Sequence, residues 1–184
     1  MAVAELVEGY VAGTWTLDEA HTDIGFSVRH LMVSKVRGSF NRFSGTITTA
    51  ADPLESSAEL IVELSSIDTR NDDRDAHLRT ADFFDADTHP MMSYRSTAIR
   101  RDGDDFVVDG ELTIKGVSAA VTLIVEWNGI GPDPWGGTRL GLSATGEINR
   151  SDFGISFNMP LDGGGVMVGE RIKLIIEAEA ILNT

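Results

Sequence analysis

The sequence predicts an all-β protein, a single antiparallel barrel, on three observations. Apolar and polar residues alternate with a period of two along most of the chain, which is typical of half-buried strands. Clusters of glycine, aspartate and proline separate the alternating runs. The 184 residues include no cysteine and are 42% hydrophobic, so one packed core must stabilise one domain. About eight or nine strands joined by short turns close most economically into a barrel, and a sandwich is the structural alternative.

Residues 1–12 precede the first strand and are expected to form an N-terminal arm packed over one barrel end, with residues 13–184 as the barrel domain. A further strand, which carries Phe40, Phe43 and Ile47, is expected to bend near its glycines. The other alternating faces, in chain order, are Ile24, Phe26 and Val28; Leu60, Val62 and Leu64; Met92, Tyr94, Ser96 and Ala98; Phe106, Val108, Leu112 and Ile114; Val117, Ala119, Val121, Leu123, Val125 and Trp127; Leu140, Leu142 and Ala144; and Ile172, Leu174, Ile176 and Ala178.

Lys115-Gly116 separates two of these runs, which predicts a tight hairpin. One helix is predicted near residues 71–81, because Asn71 can cap it and three aspartates favour its positive end. Asp75 and Arg79 are four residues apart and could form an ion pair. The helix is therefore expected to act as a lid, with Leu78 and a following phenylalanine plugging a barrel end.

The charge balance excludes several classes of partner. Fifteen Lys and Arg residues stand against 29 Asp and Glu, a net charge of -14, which repels nucleic acid and anionic lipid headgroups. No apolar run approaches the ~18 residues that a spanning helix needs, so no membrane insertion is expected. The opening residues lack the basic region of a secretory signal, which predicts a cytoplasmic location.

Motifs for catalysis and metal binding are weak. No Gly-x-Ser-x-Gly elbow occurs, and the glycines at 163–169 lack the Lys-Ser/Thr ending of a phosphate loop. The histidines at 21, 30, 77 and 89 show no metal-ligand spacing, although a fold could still gather three of them. The sequence therefore predicts no enzyme, no metal and no cofactor. His30 continues an inward face and is expected to be a hydrogen-bonded core histidine rather than a ligand contact.

A barrel core and a barrel cavity use the same residue types, so composition does not separate a filled interior from a hollow one. If the barrel is hollow, inward apolar side chains contact the ligand's tail. Arg74, His77 and Arg79 on the helix can then meet an anionic headgroup at the barrel mouth. The alternative for these three residues is a salt-bridged helix surface. The candidate ligand-binding residues are Phe26, Val28, His30, Phe40, Phe43, Leu60, Val62, Leu64, Arg74, His77, Leu78, Arg79, Phe83, Phe84, Met92, Tyr94, Phe106, Leu112 and Phe153.

Several segments together resemble the YceI family of lipocalin-like, polyisoprenoid-binding proteins. The segments that carry the resemblance are Trp15 to Thr22, Phe26 to Leu31, Val36 to Phe40, Phe43 to Gly45, Ser66 to Thr69, Arg74 to Arg79, Asp82 to Asp85, His89-Pro90, Gly110 to Val117 and Asn149 to Ile155. The resemblance implies an extended eight-stranded barrel, often dimeric, whose apolar tunnel holds a long isoprenoid, either a polyprenyl chain or an isoprenoid quinone. Ser118 departs from the threonine that is frequent in the family.

Three hypotheses follow. In the first, the chain is a carrier or binding protein for a long isoprenoid. In the second, it is a cytoplasmic enzyme that uses an inward histidine as acid or base on an apolar substrate. In the third, it is a structural or stress-related domain with a filled barrel.

Overall fold

The alternating runs form eleven strand segments, all paired antiparallel, in a computed structural model that describes residues 7–184. The part of the predicted arm at residues 1–6 lies outside the described residues. The strands are β1 (Gly13–Leu17), β2 (Asp23–His30), β3 (Ser34–Phe40), β4 (Phe43–Thr49), β5 (Ser57–Glu63), β6 (Ile67–Asp68), β7 (Met91–Asp102), β8 (Asp105–Ile114), β9 (Val117–Pro132), β10 (Thr138–Asn149) and β11 (Val168–Leu182), with the helix α1 (Asp72–Leu78) between β6 and β7.

The sheet closes into a barrel because β1 pairs with β4 on one side and with the end of β11 on the other. The ring runs β1-β4-β5-β7-β8-β9-β10-β11, which is eight strands. The remaining segments extend it: β2 follows β1 along β11, β3 pairs with β2, and β6 pairs with β3. The predicted eight-stranded antiparallel barrel is confirmed.

The predicted hairpin at Lys115-Gly116 is present, and both residues have the positive φ of 56° and 76° that a tight turn requires. The helix is shorter than the predicted 71–81. Asn71 caps it by accepting a hydrogen bond from the Arg74 amide at 2.9 Å. It ends at Leu78 because the following amides fold back, with Phe84 N donating to the Leu78 carbonyl.

The predicted ion pair between Asp75 and Arg79 does not form. Asp75 is buried and accepts hydrogen bonds from the amide and hydroxyl of Thr69 at 2.9 and 2.5 Å. The guanidinium of Arg79 instead reaches the Ser65 carbonyl at 3.4 Å. Asp75 thus anchors the helix to the chain after β6, since a buried carboxylate needs hydrogen-bond donors close by.

Candidate ligand-binding site

The barrel interior contains a cavity of about 160 Å³ at the end where the chain begins. Its walls are almost entirely apolar and come from all eight ring strands, with Leu17, Ile47, Leu60, Phe106, Trp127, Leu142 and Ala144 among the lining residues. Val7 and Tyr10 also line it, so the described part of the arm lies over this end. The Tyr10 hydroxyl donates to the Ala50 carbonyl at 2.5 Å, which holds the arm in place.

A second apolar cavity, of about 110 Å³, lies towards the opposite end. Its walls include inward side chains of β2, β3, β7, β8, β10 and β11, and its cover comes from α1, the segment after it and the Arg150–Phe153 turn. The residues of this cover that line the cavity are Leu78, Phe83, Phe84, Arg150, Phe153 and Ile155.

The two cavities are separated by about one layer of side chains. Adjacent inward positions of one strand line different cavities: on β7, Tyr94 lines the larger and Met92 the smaller, and on β11, Ile176 and Leu174 do the same. Because inward residues alternate along a strand, these positions are only about 7 Å apart. The cavities therefore lie one after the other along the barrel.

Three large side chains in this separating layer pack over glycines of neighbouring strands. A Cβ atom at Gly38 would clash with the ring of Phe26, and one at Gly110 would clash with the ring of Tyr94. At Gly146 a Cβ atom would stand 2.8 Å from Cδ2 of Leu123. These three side chains are called the partition below: Phe26, Tyr94 and Leu123. Each fills a space that is open because the residue facing it is a glycine.

Two buried polar atoms at the larger cavity have no hydrogen-bond partner among the described residues, the Tyr94 hydroxyl and the Trp127 Nε1. Burial, together with the negative charge of Asp109, raises the pKa of Tyr94 to about 12, so the phenol stays protonated and can donate. An indole nitrogen can only donate. Buried donors without a partner are rare in proteins because each costs desolvation energy. Both donor atoms are fully buried, so each becomes available to an acceptor in the larger cavity only when its side chain moves.

Arg150 is buried and supports the cover of the smaller cavity through main-chain carbonyls. Its guanidinium donates to the carbonyls of Gly169 at 2.9 Å, Ile155 at 3.1 Å and Phe157 at 2.8 Å. Burial lowers its pKa, and the carboxylate of Glu170 opposes that shift. Arg150 therefore ties the segment after β10 to the start of β11.

The helix side chains predicted to meet a headgroup point elsewhere. Arg74 donates to the hydroxyl and the carbonyl of Thr69 at 2.8 and 2.6 Å. His77 makes a 2.8 Å hydrogen bond with Asp82, and its ring packs edge-on against Phe83 and Phe157. These contacts fasten the cover rather than line a cavity.

The structure brings most of the predicted ligand-binding residues to the two cavities and leaves others outside. Leu60, Tyr94 and Phe106 line the larger cavity, and Phe26, Val28, Phe40, Leu78, Phe83, Phe84, Met92, Leu112 and Phe153 line the smaller one. Neither cavity is lined by His30, Phe43, Val62, Leu64, Arg74, His77 or Arg79. Val62 and Leu64 are buried in the core, whereas His30 is only half-buried at the end of β2, and no hydrogen bond of its ring appears within residues 7–184.

Sequence reasoning did not name Trp127, Tyr10 or Arg150 as candidate site residues. Trp127 could have been included, because it continues the alternating face of β9. Tyr10 and Arg150 carry no such periodic signal, since they lie outside the regular strands.

One group of potential metal ligands occurs within the described residues, formed by Asp18, His21 and Glu179. Arg139 already donates to Asp18 at 2.6 Å, Glu179 at 2.8 Å and Asp133 at 2.9 Å. Its guanidinium lowers the pKa of Asp18, and the three carboxylates raise the pKa of Arg139. The group is thus an ion-pair network that fastens the β1–β2 connection, the β9–β10 loop and β11 together.

Among residues 7–184, no helix has the length and hydropathy to cross a membrane. The chain resembles known proteins in sequence and in fold. The UPF0312 protein of Staphylococcus aureus (strain bovine RF122) is 39% identical over 169 residues, which are 90% of this chain and 95% of the relative. The Campylobacter jejuni YCEI protein superposes with a TM-score of 0.71 at 32% identity, covering 97% of this chain and 100% of that one.

A polyisoprenoid binding domain from Saccharophagus degradans, implicated in plant cell wall breakdown, superposes with a TM-score of 0.67 over 94% of this chain and 100% of that one. At 16% identity this likeness concerns the fold alone. The model of the YceI-like domain family matches residues 15–180, nearly the whole barrel. With the match of the family model and the identity to the staphylococcal relative, the chain belongs to the YceI-like family.

Proposed function

We propose that this protein binds one long isoprenoid lipid inside the barrel and acts as a carrier or binding protein rather than an enzyme. The observation that carries the proposal is the pair of apolar cavities lying one after the other inside a closed barrel. A structural domain with a filled barrel is not expected to contain two such cavities, because voids in a core reduce stability. The polyisoprenoid binding domain with the same fold supports this choice of ligand class.

The volumes indicate that ligand entry moves side chains. The cavities measure about 160 and 110 Å³, whereas sites for drug-sized ligands span roughly 300–1,000 Å³. Rotation of the partition would join them into one tunnel, because Phe26, Tyr94 and Leu123 fill the space between them. A flexible isoprenoid chain fits such a tunnel, since its affinity comes from burying apolar area without directional contacts.

The two unpartnered donors favour a ligand that carries an oxygen. Tyr94 and Trp127 both line the larger cavity, and when ligand entry moves these side chains an acceptor on the ligand can pair with the hydroxyl or the Nε1 that the empty barrel leaves unpaired. An isoprenoid quinone or a polyprenol has such an acceptor, and a pure hydrocarbon does not. Catalysis by an inward histidine receives no support from the geometry, because neither His30 nor His77 lines a cavity.

Native mass spectrometry of the purified protein, before and after mixing with a polyprenol and with an isoprenoid quinone, tests the proposal. We expect one lipid per chain, and the same spectra report whether the predicted homodimer forms. Ala144→Phe should block uptake, because Ala144 is buried in the wall of the larger cavity. Ala98→Phe is the matched control, since Ala98 is exposed on β7. Absence of bound lipid in every sample, with both variants folded, would refute the proposal.

A further inference from the structure

The turn between β2 and β3 presents apolar side chains to solvent. Leu31, Met32 and Val33 are 41%, 58% and 82% exposed. The loop at residues 158–167 lies beside this turn, because the Leu31 amide donates to the Met167 carbonyl at 2.9 Å, and it adds the exposed Met159 and Val166. These five residues, Leu31, Met32, Val33, Met159 and Val166, are called the apolar tip below. A contiguous exposed apolar patch of this kind marks an interaction site.

The backbone of the turn is strained in a way that its sequence does not relieve. Leu31 and Met32 have φ of 52° and 64°, in the left-handed region that bulky side chains disfavour. Asn and Gly are the usual residues at consecutive hairpin positions with positive φ, and the two-residue turn at Lys115-Gly116 has its glycine. The β2–β3 turn has three residues, Leu31 to Val33, and no glycine. The turn keeps this strained backbone and exposes two apolar side chains. Such a combination indicates a functional constraint on the turn rather than a requirement for stability.

The strands next to the apolar tip carry positive charge, although the protein as a whole carries -14. The stretch 24–51 contains Arg29, Lys35, Arg37 and Arg42 and not a single Asp or Glu. Arg29 lies opposite Lys35 across β2 and β3, and Ser27 lies between Arg37 on β3 and Lys173 on β11. With Arg171, five exposed cations lie on the strands that lead to the tip: Arg29, Lys35, Arg37, Arg171 and Lys173. None of them has a carboxylate within salt-bridge distance among residues 7–184. The five are called the basic collar below.

Carboxylates are scarce on this side of the barrel. The 158–173 segment contributes Asp162 and Glu170, and Glu170 is already bonded by the Ser151 amide at 2.9 Å. Glu147 on β10 lies opposite Lys173 on β11, so five cations stand against three carboxylates, a local charge of +2. The local charge therefore favours anionic headgroups at this end, in contrast to the net charge of -14.

We propose that the apolar tip and the basic collar form a docking surface for an anionic lipid bilayer. Apolar side chains at the boundary of a bilayer, flanked by basic residues that contact anionic headgroups, are the chemistry by which a protein rests on a membrane without crossing it. Val28 and Val168 line the smaller cavity and lie directly behind this surface, so docking brings that cavity against the bilayer. In this proposal only the tip side chains enter the bilayer surface, and no segment of the chain crosses it.

Co-sedimentation of the ligand-free protein with phosphatidylcholine vesicles, with and without phosphatidylglycerol, measures the docking. We expect binding to the vesicles that contain phosphatidylglycerol, weakened by added salt, and little binding to pure phosphatidylcholine. The triple variant Arg29→Gln, Lys35→Gln, Arg37→Gln should lose about tenfold or more in affinity, because each basic residue near an anionic surface contributes to binding. The triple variant Arg42→Gln, Arg95→Gln, Arg101→Gln removes equal charge elsewhere and should lose much less.

The variant Leu31→Asn, Met32→Gly separates docking from folding. It relieves the strained turn, so we expect thermal stability at least equal to that of the wild type, together with a loss of about tenfold or more in vesicle affinity. Trp135→Ser is the matched control, because Trp135 is 78% exposed at the opposite end of β10.

Three results would overturn the docking surface: no binding of the wild type to vesicles with phosphatidylglycerol, unchanged binding of the tip variant, or loss of binding only in the Trp135 variant. A tip variant that converts a dimer into a monomer without changing vesicle binding would assign the tip to a second copy of the chain instead. Because these assays use ligand-free protein, their failure leaves isoprenoid binding untouched, and failure of lipid uptake leaves docking untouched.

Discussion

The ring of Tyr94 occupies the space that a side chain at position 110 would fill, and Gly110 on the neighbouring strand leaves that space open. This pair forms part of the partition between the two cavities. The contact matters because Tyr94 also carries one of the two unpartnered donors of the larger cavity.

We expect Gly110→Ala to destabilise the protein by about 1–3 kcal/mol, because the new methyl group overpacks the core against Tyr94. The free energy of unfolding in urea measures the change. Gly131→Ala is the control, since a Cβ atom there meets nothing within 4 Å and should alter stability much less. Equal effects of the two substitutions would contradict the packing described for Tyr94.

Tyr94→Phe should have opposite effects on the empty and the loaded protein. Removing an unpartnered buried hydroxyl is expected to leave the ligand-free protein as stable or up to about 1 kcal/mol more stable. The affinity for an isoprenoid quinone should fall, because one donor is lost. Urea unfolding and quinone titration measure the two quantities, and unchanged affinity would remove Tyr94 from the recognition of the ligand.

The same residue predicts a loss of stability at alkaline pH. Its folded pKa of about 12 is above the unfolded value of 10.0, so between these values the unfolded chain gives up a proton that the folded protein retains. This contribution is fully present below pH 10 and is lost as the pH rises towards 12. The decline over this range should be smaller in Tyr94→Phe than in the wild type, as measured by unfolding at several alkaline pH values.

Arg139→Gln should destabilise the protein most at neutral pH. Hydrogen bonds from Arg139 and His21 lower the folded pKa of Asp18, and hydrogen bonds from the Gly137 amide and Arg139 lower that of Asp133. A carboxyl group whose pKa is lowered in the folded protein contributes stability at pH values above its unfolded pKa of 3.8. That contribution is lost as the pH falls through the folded pKa. The difference in melting temperature between wild type and variant should therefore shrink below about pH 4. A constant difference from pH 7 to pH 3 would contradict this account.

Arg150→Gln should loosen the cover of the smaller cavity. Several buried carbonyls lose their donor, which predicts a loss of about 2–4 kcal/mol in unfolding free energy. Limited proteolysis should cut first between residues 150 and 168, because Arg150 joins this segment to β11. Arg95→Gln serves as the surface control, and cleavage elsewhere at equal rate in both variants would argue against this role.

Strand identity and strand facing could be predicted from the residues themselves. The alternation in Phe106, Val108, Leu112 and Ile114 places all four on the buried face of β8, because a pleated strand sends successive side chains to opposite faces. The cap of α1 followed from Asn71 for a similarly local reason. The cytoplasmic location and the homodimer stay predictions.

What the sequence by itself determined is the all-β class, the succession of strands along the chain and most of the apolar residues around the cavities, since these depend on period and on local turn chemistry. Only the tertiary structure decided that Arg74 donates to Thr69, that Tyr94 fills the space at Gly110, and that cations of β2, β3 and β11 lie on the strands that lead to one exposed apolar tip. Those relationships join residues far apart in the chain. They arise when barrel closure fixes which strands are neighbours, and no local pattern encodes that choice.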